Sequence, residues 1–246
     1  MSVERLAAAI RESVSCVVLT GAGMSTESGI PDFRTPTGVW AQFDPLEYGS
    51  IDAFRRDPEK VWELYGERYR MLAAAEPNDG HRAIAELERR GLVEAVVTQN
   101  IDRLHERAGS RDVVEVHGSI RSASCPACGR VHGLEEVLAL VGEGTPHCRS
   151  CGTVLKPDVV FFGELLPQAA IDRATKLASR TRLLLVVGST LEVYPVAGLP
   201  LDTVRAGGRV AIVNRGPTAF DGRADIRLEG AAGELLSGLV ESLGRG

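Results

Sequence analysis

A chain of 246 residues, 44% of them hydrophobic, can bury one large core with a small insertion, and that composition excludes a disordered protein. Its 33 acidic against 28 basic side chains leave a net charge of −5, which argues against sequence-independent nucleic-acid binding, because that needs a basic surface to displace counterions. The opening MSVERLAAAIRESVS lacks the uninterrupted apolar core of a signal peptide, and no apolar run reaches membrane-spanning length, so a cytoplasmic protein without a membrane partner is expected.

Residues 3 to 13 fit a helix with Val3, Leu6, Ala7 and Ile10 on one face. Cys16 to Thr20 is a β-rich apolar run suited to a strand buried on both faces, in which Cys16 serves as a small hydrophobe. Gly21, Ala22 and Gly23 then turn the chain tightly enough for a pyrophosphate to meet backbone amides, with Ser25, Thr26 and Ser28 around the turn and a helix start expected to add its dipole. The dinucleotide fingerprint is incomplete: Thr26 stands where the third glycine belongs, and no acid for the ribose follows about 20 residues on.

Asp57-Pro58 opens a helix to about Ala75, and Arg68 falls on its apolar stripe, three residues after Tyr65. That spacing lets a phenol and a guanidinium converge in a pair suited to a carboxylate, although a surface Arg beside a core Tyr would show the same spacing. Glu76 to Gly80 breaks the helix, His81 to Arg90 forms another, and Val93 to Thr98 is the next strand, ending in Gln99-Asn100-Ile101-Asp102. Asp102, ahead of Arg103-Leu104-His105, also suits a helix cap. Val113 to Val116 is a third strand, ending in His117-Gly118; at such a place His117 is a candidate base, or a satisfied structural histidine.

Cys125-x2-Cys128 and Cys148-x2-Cys151, nineteen residues apart, have zinc-ribbon spacing. Four thiolates leave no open position for water, so the zinc is expected to be structural, and neither His132 nor His147 is needed as a ligand. Asp158 to Phe162 resumes strand character, Pro167 to Arg180 is helical, and Leu183 to Val187 is an aliphatic strand closed by Gly188-Ser189-Thr190. A helix from about Pro195, a strand Val210 to Val213 ending in Asn214, and a helix Gly230 to Leu243 complete the chain. The alternation predicts an α/β fold: a doubly wound, Rossmann-like parallel sheet over residues 1–118 and 158–246, with a zinc module at 119–157 joined by helices near 31–75. Polar residues recur just past successive strand ends, where such sheets bind ligands.

The stretch GAGMSTESGIPDFR resembles the signature of the sirtuins, NAD-dependent protein-lysine deacylases, and further motifs like theirs recur in order almost to the carboxyl terminus. The resemblance implies NAD as cofactor and acylated-lysine proteins as substrates. It also implies that the acyl oxygen attacks C1′ of the nicotinamide ribose, expelling nicotinamide, and that His117 then draws a proton from the ribose hydroxyls, leading to free lysine and O-acyl-ADP-ribose. Asp32, Phe33, Arg34 and Trp40 fall in or beside the mobile cofactor loop, with Phe33 shielding the sugar from water. Gln99, Asn100, Ile101 and Asp102 match the element that positions nicotinamide. Gly188, Ser189 and Thr190 match a phosphate or ribose turn, with Thr190 where the family commonly has Ser. Asn214 matches the adenine-ribose contact and Ala232 the adenine contact. Val160 and Phe162 would line the acyl-lysine tunnel, and residues 159–164 and 191–194 would flank an added substrate strand. Tyr65 and Arg68 match the motif of sirtuins that remove succinyl and malonyl groups, with Gly49 widening the pocket. Plain deacetylation, ADP-ribosyl transfer, hydride transfer and a non-catalytic NAD-sensing or peptide-binding module remain as rival readings.

Overall fold

A computed structural model of the chain describes residues 2–33 and 35–244. In chain order it contains α1 (Val3–Glu12), β1 (Cys16–Thr20), α2 (Val39–Gln42), α3 (Pro45–Tyr48), α4 (Ile51–Arg56), α5 (Pro58–Ala74), α6 (Asp79–Arg89), β2 (Ala95–Thr98), α7 (Leu104–Arg107) and β3 (Val113–Glu115). There follow β4 (Gly118–Ser124), β5 (Val131–Gly133), α8 (Leu134–Glu143), β6 (Lys156–Val159), α9 (Gln168–Arg180), β7 (Leu183–Val187), α10 (Leu199–Arg205), β8 (Arg209–Asn214), β9 (Ile226–Glu229) and α11 (Ala232–Gly244).

Six strands form one parallel sheet in the order β3-β2-β1-β7-β8-β9, the doubly wound, Rossmann-like order with its switch point between β1 and β7. Successive residues of a strand point to opposite faces, and both faces here are apolar. Cys16 and Val18 pack with Leu6, Ile84, Leu87 and Leu236 from α1, α6 and α11, whereas Val17 and Leu19 pack with Leu177 and Leu199 from α9 and α10. A second, antiparallel sheet, β5-β4-β6, shares a separate core with α5 and α8 built on Trp62, Tyr69, Ile120, Val137 and Phe161.

Several expectations shift. Lys156–Val159 pairs with β4 and not with the parallel sheet, so the small sheet is wider than the interruption at 119–157, and residues 160–162 run on as extended chain. Val160 N there donates to His117 O at 2.8 Å and Phe162 N to Gly49 O at 2.8 Å. The breaker before the second long helix is partly helical: Asn78 Oδ1 accepts from His81 N at 3.2 Å while His81 Nδ1 accepts from Asn78 N at 3.3 Å, a reciprocal cap that starts α6 at Asp79. No α-helix follows the Gly21 turn; two short 3₁₀ turns, Ala22–Met24 and Thr26–Ser28, take its place. The helix expected from Pro195 likewise begins with a 3₁₀ turn, Val196–Gly198, before α10.

Candidate active site

The carboxyl ends of β1, β2, β7 and β8 open into one cavity of about 600 Å³, walled on its other side by the extended chain after β6 and by the segment around Trp40. Gly21, Ala22, Gly23, Asp32, Phe33, Trp40, Tyr65, Gln99, Asn100, Ile101, His117, Val160, Phe162, Gly188, Ser189, Thr190, Asn214 and Ala232 all line it. Arg34 lies outside the described residues. Ser25, Asp102 and Arg68 do not line the cavity and stand behind its wall.

At the switch point the two glycine turns touch. Gly188 has φ +62°, and a Cβ there would run into the backbone of Gly23 and Met24. Gly23 N donates to Gly188 O at 2.9 Å and Gly21 N to Val187 O at 3.1 Å, so these amides already have partners. The glycines therefore serve the close approach of two strand ends and do not offer bare donors to a pyrophosphate, as the sequence suggests.

Behind the turn lies a buried polar cluster. Ser25 Oγ donates to Asp102 Oδ2 at 2.7 Å and accepts from Asn100 Nδ2 at 3.1 Å, and Asn100 Nδ2 also reaches Gly21 O at 3.0 Å. Asp102 Oδ1 accepts from Leu104 N at 2.9 Å; the N-cap position of α7 is Arg103, so Asp102 does not cap the helix as its sequence position suits it to, but its carboxylate ties the first residue of α7 to Ser25. Burial raises the Asp102 pKa, against the backbone and Ser25 hydrogen bonds that favour its charge. His81 and His105, which the sequence does not single out for chemistry, stack edge-on at 4.8 Å beneath it. His81 Nε2 lies 3.5 Å from Ser25 Oγ, and His105 Nε2 lies 3.0 Å from Thr20 Oγ1, which donates to Thr98 Oγ1, the acceptor for Asn100 N. The readable signal was the Asn78-x2-His81 capping pattern. Glu27, Thr35, Thr37, Leu166 and Arg215 also line the cavity without having been foreseen.

His117 Nδ1 sits 3.0 Å from Gln99 O. A carbonyl only accepts, so Nδ1 carries the hydrogen and Nε2 keeps a free lone pair. Burial lowers the pKa, partly countered by that hydrogen bond, which leaves the neutral imidazole as the form at physiological pH. Phe33, Trp40 and Phe162 form an aromatic wall, with ring centroids 5.3 Å and 6.1 Å apart in sequence around Trp40. A Cβ on Gly49 would press on the Trp40 ring and Pro45 O, so the small residue there seats Trp40. Tyr65 packs on Phe161 at 5.1 Å, and burial pushes its pKa up to about 12. Arg68 is 6% exposed, its guanidinium 5.0 Å from the Phe33 ring centre. Burial lowers its pKa, and Tyr65 and Asp102 act in the opposite direction.

Away from the cavity, Cys125, Cys128, Cys148 and Cys151 bring their four Sγ atoms within 4.8 Å of one another, with pairs at 3.4 and 3.6 Å. These spacings are far too long for a disulfide, and they are close to the roughly 3.8 Å edge of a tetrahedron with about 2.3 Å metal–sulfur bonds. The donor set fits zinc. His132 lies outside the set, 2.8 Å from Glu136, and His147 Nδ1 lies 2.8 Å from Gly152 O.

Residues 21–195 match the Sir2 family. NAD-dependent protein deacylase 2 of Pyrobaculum aerophilum is 50% identical, over 96% of this chain and 94% of its own. NAD-dependent protein deacylase 2 of Archaeoglobus fulgidus is 46% identical, over 99% and 96%. Among solved structures, a Sir2–p53 peptide–NAD+ complex aligns with a TM-score of 0.91 at 41% identity over 100% of both chains. With matches of this extent in sequence and in fold, the chain belongs to the Sir2 family.

Proposed function

We propose that the protein is an NAD-dependent protein-lysine deacylase with zinc as a structural metal, and that it removes acidic acyl groups such as succinyl and malonyl as well as acetyl. The observation that carries the reaction is a single cavity holding a neutral His117 with Nε2 free, between the β1, β7 and β8 turns at one end and Tyr65, Val160 and Phe162 at the other. NAD-dependent deacylase and deacetylase are also the names of the relatives, and an acetylated peptide accompanies one similar Sir2 structure.

In this reading Asn214, Thr190 and Ala232 receive the adenosine end, and Asn100 and Ile101 the nicotinamide end. Bound NAD supplies an electrophilic ribose carbon and a leaving group. Phe33 and Trp40 exclude water from that carbon. His117 Nε2 accepts a proton from a ribose hydroxyl, and Gln99 O holds the ring so that the lone pair faces the sugar. An acyl-lysine side chain enters past Val160 and Phe162, its peptide adding beside residues 159–164 and 191–194. Residues 1–118 and 158–246 then act as the cofactor-binding unit, and the zinc module with the helices near 31–75 closes the acyl side.

The acidic-acyl reading rests on Arg68. The guanidinium is buried against the Phe33 ring, one layer behind the cavity wall, with no ion pair to a described carboxylate; an arginine stays charged there, and a substrate carboxylate that reached it would compensate it. The test is mass spectrometry of incubations with NAD and acetyl- or succinyl-peptides, for wild type and Arg68→Met. O-acyl-ADP-ribose should form from both peptides, and the substitution should lower kcat/KM for succinyl by on the order of tenfold or more while acetyl turnover persists. Equal losses on both would make Arg68 a support of the fold. NAD left intact, or ADP-ribose transferred to the peptide, would overturn the deacylase reading itself.

A further inference from the structure

The strand the sequence does not reveal, β9, carries Arg227, and its guanidinium is the hub of the loop that follows β8. Nη1 donates to Asn214 O at 3.0 Å and to Leu228 O at 2.7 Å, and Nη2 donates to Gly216 O at 2.5 Å. Nε donates to Asp221 Oδ1 at 3.0 Å. Asp221 in turn accepts from Thr218 N at 3.1 Å and Thr218 Oγ1 at 2.6 Å, and Ala219 N donates to Thr190 O at 2.9 Å. The loop thus hangs on one arginine from the edge strand and one aspartate within the loop, and it is tied to the β7 turn. Asn214 and Arg215 line the cavity, and the hub holds Asn214 O and Gly216 O on either side of Arg215.

The geometry suits positioning more than bulk stability. The Arg227 side chain is 17% exposed and Asp221 36% exposed, so both stand near the surface, where an ion pair alone contributes little. A planar guanidinium meeting three carbonyls and a carboxylate instead fixes backbone direction. Asn214 Nδ2 is turned back on the loop, donating to Arg215 O at 3.0 Å and Gly216 O at 3.1 Å, which leaves the amide oxygen as its acceptor for a ligand. The Asp221 pKa is lowered by its Thr218 and Arg227 contacts against a desolvation cost, so the pair stays charged.

We infer that Arg227 and Asp221 are positioning residues for the adenosine half of NAD, setting cofactor affinity through Asn214 without touching the reacting atoms. The inference rests on the deacylase reading for its kinetics, but its binding test stands without it. Titration calorimetry with ADP-ribose, and steady-state kinetics with NAD and acetyl-peptide varied separately, are run on wild type, Arg227→Gln, Arg227→Lys and Asp221→Asn. ADP-ribose affinity should fall on the order of tenfold in Arg227→Gln, with KM for NAD rising in step and kcat and KM for peptide nearly unchanged. Arg227→Lys should recover only part of the loss, since a point charge cannot serve the same four acceptors. Asp221→Asn should move the same two parameters in the same direction. If kcat falls while ADP-ribose affinity and KM for NAD hold in both Arg227→Gln and Asp221→Asn, the hub is structural only and the inference is overturned. If wild type binds ADP-ribose but does not deacylate, the failure is of the deacylase reading, and the affinity series still decides the hub.

Discussion

A histidine works as a base when one ring nitrogen is held and the other is left free, and His117 meets that condition through Gln99 O. His117→Ala should therefore lower deacylation by on the order of 10²–10⁴ while ADP-ribose binding and melting change little. Near-wild-type turnover would remove His117 from the chemistry. Because burial lowers its pKa from the ordinary histidine value, protonation sets in at lower pH than for a free imidazole, and the acid limb of kcat/KM should be displaced in the same direction. An acid limb above pH 7 would contradict the buried, neutral ring. The buried pair beneath the site gives a stability counterpart. Burial pushes the His81 pKa down to about 4 and that of His105 well below its usual value. The unfolded chain then binds more protons than the folded one between about pH 6.5 and 4, so these rings lose stability as pH falls through that window. Asp102, with its raised pKa, acts in the opposite sense. Comparing wild type with His105→Gln isolates one ring: melting temperature should fall less steeply from pH 7 to 5 in the variant. Parallel curves would show that His105 is not the neutral, buried group proposed here.

At the scale of elements, the two cysteine knuckles clamp the far ends of β4 and β6, whose near ends lead into His117 and into Val160 to Phe162. Trp62 Nε1 donates to Leu155 O at 2.6 Å and Tyr69 Oη to Ser122 O at 2.7 Å, so α5, with Tyr65 and Arg68, rides on the same sheet. Zinc removal or Cys125→Ala should lower the melting temperature and deacylation together. Activity lost with melting unchanged would give the metal a chemical role that its closed sulfur set does not suggest. The strands of the large sheet were legible because Cys16 to Thr20 and Leu183 to Val187 are buried on both faces and so remain apolar throughout. β9 was not, because an edge strand of four residues alternates Ile226 and Leu228 with Arg227 and Glu229. α8 carries Val137, Leu140 and Val141 at i, i+3 and i+4, a stripe obscured by its place between the cysteine pairs. The strand-end site residues could be read in chain order, but the Ser25 to Asp102 bond joins residues 77 apart, and spacing alone cannot show such a contact.

At the scale of the whole molecule, the cavity lies where separate cores meet. The turns of β1, β7 and β8 rise from the two cores that sandwich the large sheet, while Trp40, Tyr65 and Phe161 belong to the small-sheet core on the opposite wall. A ligand that touches several such layers and binds only the folded chain stabilises it by mass action, about 2.7 kcal/mol at a concentration 100 times Kd. For a chain of this size that corresponds to a rise in melting temperature of about 5–10 °C. ADP-ribose, which has no leaving group and is not consumed, should produce that rise in wild type without any acyl-peptide. Gly188→Ala forces a side chain into a left-handed turn against Gly23 and Met24, so it should both lower the starting melting temperature and shrink the rise. Acyl-peptide added after ADP-ribose should raise the melting temperature further, because the opposite wall is still open to it. Scanning calorimetry separates the cases: no shift with saturating ADP-ribose would mean that the strand-end crevice is not the nucleotide site, whatever the chain does with acyl-lysine.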